Sequence, residues 1–157
     1  MKIKDITLKL TVADYAELSE GERTLVDAAR SAVSGSYAPY SNFHVGAAIL
    51  LDNGEIVKGA NQENAATPSS LCAERTAAYW AHANYPDARI RAVAIAARDG
   101  SGREVVAPIS PCGACRQALL QYETLAGANV KVILVGAGEI FIAPSVRSLL
   151  PLAFTEF

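Results

Sequence analysis

At 157 residues, with 51% hydrophobic and 19% charged side chains, the chain is one domain's worth of globular protein and can bury a core without disulfide staples. A formal net charge of −2, with no Lys/Arg run, argues against a polyanion as the main partner and leaves small neutral substrates open. No apolar stretch approaches the ~18 residues of a membrane span. The opening Met1-Lys2-Ile3-Lys4-Asp5 lacks the apolar core of a secretory signal, so a cytosolic protein with no membrane partner is expected.

Ile3 to Tyr15 alternates apolar and polar residues and reads as an edge strand or an N-terminal arm. Ser19-x-x-Glu22 is a capping box. Leu25, Val26, Ala28, Ala29, Ala32 and Val33 follow at helical spacing, and Gly35 marks the stop. Tyr37 to Asn42 is a polar-aromatic loop. Phe43 to Leu51 is a buried-strand run, Asp52-Asn53-Gly54 is a hairpin turn, and Glu55 to Ala60 returns as a second strand.

Asn61 to Leu71 reads as an irregular loop and Cys72 to Asn84 as a helix rich in Ala. Arg91 to Ala97 is a strand, Val105 to Ser110 an extended piece, Cys112 to Tyr122 a helix and Val130 to Val135 a strand. Ser145 to Leu150 reads as a short terminal helix ended by Pro151. The sum is an α/β domain, a mixed sheet with a hairpin at its start and helices packed on it. The expected organisation is an arm or extension over residues 1–18 and the domain over 19–157.

The three cysteines, Cys72, Cys112 and Cys115, make a poor disulfide framework in a chain without a secretory signal; in a reducing compartment they bind metal or react. Cys112 and Cys115 stand at i and i+3 at the start of a helix and share one face. Cys72 opens another helix. If the two helix starts converge, three sulfurs surround one ion, and zinc accepts thiolates in tetrahedral geometry.

Neither His44 nor His82 stands beside these motifs, and there is no fourth cysteine. Three protein ligands leave one position for water, the layout of a catalytic zinc. Three thiolates around Zn²⁺ leave a net charge of −1, so water activation needs compensation. Helix N-termini supply part of it, and Arg75 is placed to donate to a thiolate sulfur. Glu74, two residues past Cys72, is within reach of the water and suited to carry its proton.

Cys-x-x-Cys alone is equally a redox motif or half of a structural zinc knuckle. Cys-x-Glu followed by Pro-Cys-x-x-Cys is the zinc-deaminase signature with Cys in place of His. His44 reads as a satisfied structural histidine, His82 as a solvent-facing helical one, and Arg116 as a packing or contact residue.

Cys72-Ala73-Glu74-Arg75-Thr76-Ala77 and Pro111-Cys112-Gly113-Ala114-Cys115-Arg116-Gln117 resemble the compact cytidine deaminases of nucleoside salvage. So do Tyr40 to Ala48, Asn61 to Ala65 and Leu149 to Phe154, and the likeness runs from about Ser19 to Phe154. The resemblance implies a three-layer α/β/α sandwich and a homotetramer with one zinc per subunit. It also implies hydrolytic deamination of cytidine and 2′-deoxycytidine to the uridine forms, with release of ammonia.

Residue by residue, it implies Cys72, Cys112 and Cys115 as zinc ligands and Glu74 as proton shuttle. Asn61 and Glu63 would bind the ribose hydroxyls, and Phe43 would pack on the base. The Ala73 N–H would hold the pyrimidine carbonyl, the Ser110 carbonyl would meet the exocyclic amine, and Phe154 would reach a neighbour's site. Read without the resemblance, Asn61 ends a strand and opens a turn.

Two departures stand out. Thr67 and Ser70 occupy positions where the family carries Tyr and Gly, which opens the question of a modified pyrimidine nucleoside as substrate. Residues 1–18 have no counterpart in the shortest members. A nucleic-acid substrate is disfavoured, because no basic strip is available to bind it.

Overall fold

In the computed structural model, which describes residues 1–155, the alternating N-terminal segment yields one short strand, β1 (Thr11–Ala13). Helix α1 (Glu20–Ala32) follows its capping box at Ser19. Strands β2 (His44–Leu51) and β3 (Ile56–Ala60) form the hairpin, turning through Gly54 at φ 89°. Helix α2 (Ala73–Asn84), strand β4 (Ile90–Arg98), helix α3 (Gly113–Ala126) and strands β5 (Lys131–Val135) and β6 (Ile140–Ala143) complete the chain.

The sheet order is β1-β6-β5-β4-β2-β3. Only the β4–β5 pair is parallel, and α3 is its crossover. Alternation along the central strands sorts side chains to two faces. Ala47, Ile49, Val93, Ile95 and Leu134 point to the face covered by α2 and α3. Ala48, Ala92, Ala94, Ala96 and Ile133 point to the face covered by α1. The result is the expected three-layer sandwich.

The α1 face is lined mainly with alanine, so this helix lies close on the sheet. At Gly46 the approach is closest: an added Cβ would sit 2.5 Å from the Val33 nitrogen and 2.9 Å from the Ala32 carbonyl carbon. Gly59 plays the same part under α2, where a Cβ would meet the Ala73 oxygen at 2.7 Å. The glycines let two helices seat without bending the sheet.

The structure adds strand β6 to the predicted elements. Ile140 to Ala143 is an apolar run of strand type, but it is short and squeezed between the Gly136-Ala137-Gly138 turn and Pro144. Its hairpin closes through a bond from the Gly136 N–H to the Glu139 carbonyl at 3.0 Å. The predicted terminal helix contracts to a single turn of 3₁₀ helix, Arg147–Leu149.

That turn is held by buried Glu123 of α3. Its carboxylate accepts from the backbone N–H groups of Val146 at 2.7 Å and Arg147 at 3.0 Å, and from Val130 at 2.9 Å. One carboxylate thus ties the end of α3 to β5 and to the C-terminal turn. No helix among the described residues is long and apolar enough to cross a membrane.

Candidate active site

Cys72 is the N-cap residue of α2 and Cys112 that of α3. Both have extended backbone, and neither makes a side-chain cap bond. Cys115 lies in the first turn of α3 and is buried. The packing of α2 beside α3 brings the two helix starts together, and the three Sγ atoms lie within 4.8 Å of one another. The Cys72 and Cys112 sulfurs are 3.9 Å apart. Tetrahedral zinc with Zn–S bonds of ~2.3 Å requires sulfurs about 3.8 Å apart, so the donor set fits that ion. All three cysteines are unbridged.

The charge balance around the sulfurs follows from their neighbours. The Cys72 thiol is held down to about 5, first by a hydrogen bond from the Cys115 thiol and then by Arg75, whose Nη2 lies 3.8 Å from Cys72 Sγ. Cys115 is pushed up, because its proton is committed to Cys72 and burial disfavours a second thiolate. Buried Arg75 Nε has no hydrogen-bond partner, so the guanidinium keeps a donor in reserve beside the cluster.

Glu74 occupies the first turn of α2 and is only 4% exposed. Burial raises its carboxyl above the usual range, and the neighbouring Cys72 charge adds to the effect. A carboxyl in the cavity lining is positioned to exchange a proton with a group bound there.

A cavity of about 640 Å³ opens over the sulfurs. Cys72, Cys112 and Glu74 line its floor, and Phe43, Asn61, Glu63, Ala73 and Ser110 line its walls. The sheet and two helix starts therefore bring Phe43, Asn61, Glu63, Cys72, Ala73, Glu74, Arg75, Ser110 and Cys112 to one cavity, with Cys115 buried beside Cys72 and Cys112. Phe154 does not line this cavity; its carbonyl accepts from Gln117 Nε2 on α3 at 2.8 Å.

Asn61 does more than end a strand. Its Oδ1 accepts from the Val45 N–H at 2.8 Å and its Nδ2 donates to the Phe43 carbonyl at 2.9 Å. Glu63 Oε2 accepts from the N–H groups of Tyr40 at 2.8 Å and Ser41 at 3.2 Å, and these bonds hold the Glu63 carboxyl below the usual range. The two side chains therefore fix the loop that carries Phe43. Sequence reasoning missed this second duty, since nothing in the spacing reports which backbone groups a side chain will meet.

Other expectations sort as follows. His44 Nδ1 bonds to the Ser36 hydroxyl at 2.7 Å, the satisfied structural histidine expected. His82 is half-buried against the Tyr122 ring at 5.4 Å rather than facing solvent, because α3 packs beside that turn of α2. Arg116 ties the loop before α3 to the C-terminal turn, donating to the carbonyls of Pro111 and Leu149, each at 2.8 Å. Thr67 and Ser70 both line the cavity.

Residues 19–129 match the cytidine and deoxycytidylate deaminase zinc-binding region. The chain belongs to this deaminase family. It is 42% identical over 131 residues to the cytidine deaminase of Halalkalibacterium halodurans, a match covering 83% of this chain and 92% of that one. Among solved structures, the cytidine deaminase from Burkholderia pseudomallei superposes with a TM-score of 0.72 at 35% identity, covering 87% of this chain and all of that one. The Mycobacterium tuberculosis cytidine deaminase gives 0.68 at 33% identity over 86% of this chain and 98% of that one. The family's zinc-binding region contains the Cys72, Cys112 and Cys115 cluster of this deaminase chain.

Proposed function

We propose that the chain is a hydrolase that converts cytidine and 2′-deoxycytidine to uridine and 2′-deoxyuridine, releasing ammonia. The observation that carries the reading is a cluster of three sulfurs, two of whose cysteines, Cys72 and Cys112, line one cavity together with the buried Glu74. The relatives named cytidine deaminase, similar over most of their length, support the substrate.

Cys72, Cys112 and Cys115 would hold zinc, which when bound would supply the Lewis acidity that lowers the pKa of water toward neutral. Arg75 and the two helix N-termini offset the negative charge of the thiolates. Glu74 takes the first proton of the attacking water and passes it to N3 of the pyrimidine. The oxygen adds at C4. Glu74 then takes the second proton from that oxygen and delivers it to the amino group, which leaves as ammonia. One water is consumed, and the carbonyl of uridine remains at C4.

The walls select the substrate. The Ala73 N–H lies at the start of α2, where first-turn N–H groups have no intrahelical partner, and it is offered to the pyrimidine carbonyl. The Ser110 carbonyl accepts from the exocyclic amine, and Phe43 packs on the base. Glu63 Oε1 and the second Nδ2 hydrogen of Asn61 are the groups for ribose hydroxyls. Leaving them unpaired in a closed site penalises a free base.

A homotetramer, in which Phe154 reaches a neighbour's cavity, accounts for that residue's absence from its own. Thiolate ligands suit a reducing cytoplasm, where the substrate is a soluble nucleoside. In this reading residues 19–157 are the catalytic domain and residues 1–18 an N-terminal extension, whose β1 adds to the edge of the sheet beside β6.

Incubation with cytidine, deoxycytidine, cytosine and base- or sugar-modified analogues, followed by ultraviolet loss and ammonia, is the test. Turnover of the two nucleosides with little of cytosine is expected. No turnover of either nucleoside overturns the reading. Thr67 on the cavity wall, smaller than Tyr, favours a second outcome, a preference for a bulkier modified nucleoside, which Thr67→Tyr would reverse.

A further inference from the structure

Ser70 is half-buried and lines the cavity. Its Oγ accepts from the Asn64 N–H at 2.9 Å. At the base of the same loop, Gln62 and Leu71 exchange both backbone bonds, at 2.8 and 2.9 Å. A regular antiparallel ladder would place its next bonded pair at Asn64 and Ser69. Here the chain leaves the ladder for a turn of 3₁₀ helix, Thr67–Ser69, and the Ser69 N–H goes to the Ala66 carbonyl at 2.8 Å. The Ser70 hydroxyl takes the Asn64 N–H in place of a backbone carbonyl.

Glu63 lies between these two ties. Its N–H donates to the Tyr37 carbonyl at 2.8 Å, and its carboxylate accepts from the Tyr40 and Ser41 N–H groups. Ser70 holds a third side, the peptide that joins Glu63 to Asn64. Residues 64–69 are all exposed, yet Asn64, Ala65 and Thr67 line the cavity. An exposed wall of this kind keeps its shape only as far as its bonds fix it.

We propose that Ser70 is a positioning residue for nucleoside binding: its hydroxyl holds the Glu63–Asn64 peptide, and through it the Glu63 carboxylate and the wall that follows. The inference rests on the proposed function, in which Glu63 meets a ribose hydroxyl. Without the bond, the wall must be ordered when the nucleoside binds, and that cost falls on KM. The bond involves neither the sulfurs nor Glu74, so kcat is spared. Ser70 has extended backbone, with φ −68° and ψ 146°, which Ala and Thr adopt without strain.

The test is steady-state kinetics on cytidine for the unaltered chain, Ser70→Ala, Ser70→Thr, Glu63→Ala and the Ser70→Ala/Glu63→Ala double variant. Zinc content and circular dichroism are the folding controls. Ser70→Ala is expected to raise KM about 3- to 10-fold and to leave kcat unchanged. Ser70→Thr keeps the hydroxyl and is expected to keep the original KM. Glu63→Ala leaves no carboxylate to place, so adding Ser70→Ala to it should change kcat/KM by less than about twofold. Deuterium uptake over residues 62–71, read by mass spectrometry without substrate, should be faster in Ser70→Ala and unchanged in Ser70→Thr. Four results would each overturn the proposal: an unchanged KM or unchanged uptake in Ser70→Ala, a loss in kcat instead of KM, a Ser70→Thr as weak as Ser70→Ala, or an equal penalty with and without Glu63. An unaltered chain inactive on cytidine would overturn the proposed function and this proposal with it. An active one that gives any of those four results would overturn this proposal alone.

Discussion

Helix α1 and helices α2 and α3 begin in opposite ways. At α1 the Ser19 hydroxyl accepts from the Glu22 N–H at 3.3 Å, and the Glu22 carboxylate answers from the Ser19 N–H at 3.0 Å. That end is closed by its own chain. At α2 and α3 the N-cap residues are Cys72 and Cys112, and neither side chain takes up a helix N–H. Those ends meet at a cavity instead. A helix start left open keeps its N–H groups and its partial positive charge for whatever binds there. The difference separates an end that stabilises the fold from two ends that give up local stability for a site.

The contrast breaks most sharply at the cysteines. Cys112→Ala removes an exposed side chain that makes no cap bond, so the far-ultraviolet spectrum should be retained. Zinc content and turnover should fall to background, read by metal analysis and the ammonia assay. Retained activity in that variant would detach the sulfurs from the chemistry.

A smaller effect is expected on the cavity wall. Glu63→Gln weakens the bonds to Tyr40 and Ser41 and, in the proposed function, takes the charge from the acceptor offered to a ribose hydroxyl. Nucleoside kcat/KM should fall by about 1–3 kcal/mol of binding, roughly 5- to 150-fold, while zinc content stays unchanged. Steady-state kinetics on cytidine measures it.

Ser19→Ala opens the closed end. It should cost about 1 kcal/mol in denaturant unfolding and leave turnover unchanged. The acid limb is smaller again. Glu22 is held down to about 2, first by Lys131 at 2.7 Å and then by Ser19. A carboxylate lowered in the folded state stabilises above its ordinary pKa near 4.5 and loses that contribution as pH falls toward 2. Melting curves should therefore drop less between those values for Glu22→Gln than for the unaltered chain.

Much of this was legible in the residues. The Ser19 box, the Gly54 hairpin and the Cys-x-Glu with Pro-Cys-x-x-Cys are local signals, each within a few positions, and each stands where the spacing put it. What escaped is long-range. Strand β6 is only four residues long, and its pairing with β5 and β1 makes it a strand. Glu123 reads as an ordinary helical acid until three backbone N–H groups from two other segments converge on it. The clamp that Asn61 places on Phe43 and Val45 is invisible for the same reason.

The most direct measurement pairs zinc analysis with turnover in Glu74→Gln. The variant should hold one zinc per chain, as the unaltered protein does, and lose about 10² to 10⁴ in kcat, because metal and pocket remain while the proton carrier is gone. A fully active Glu74→Gln, or an active parent protein free of metal, would contradict the account.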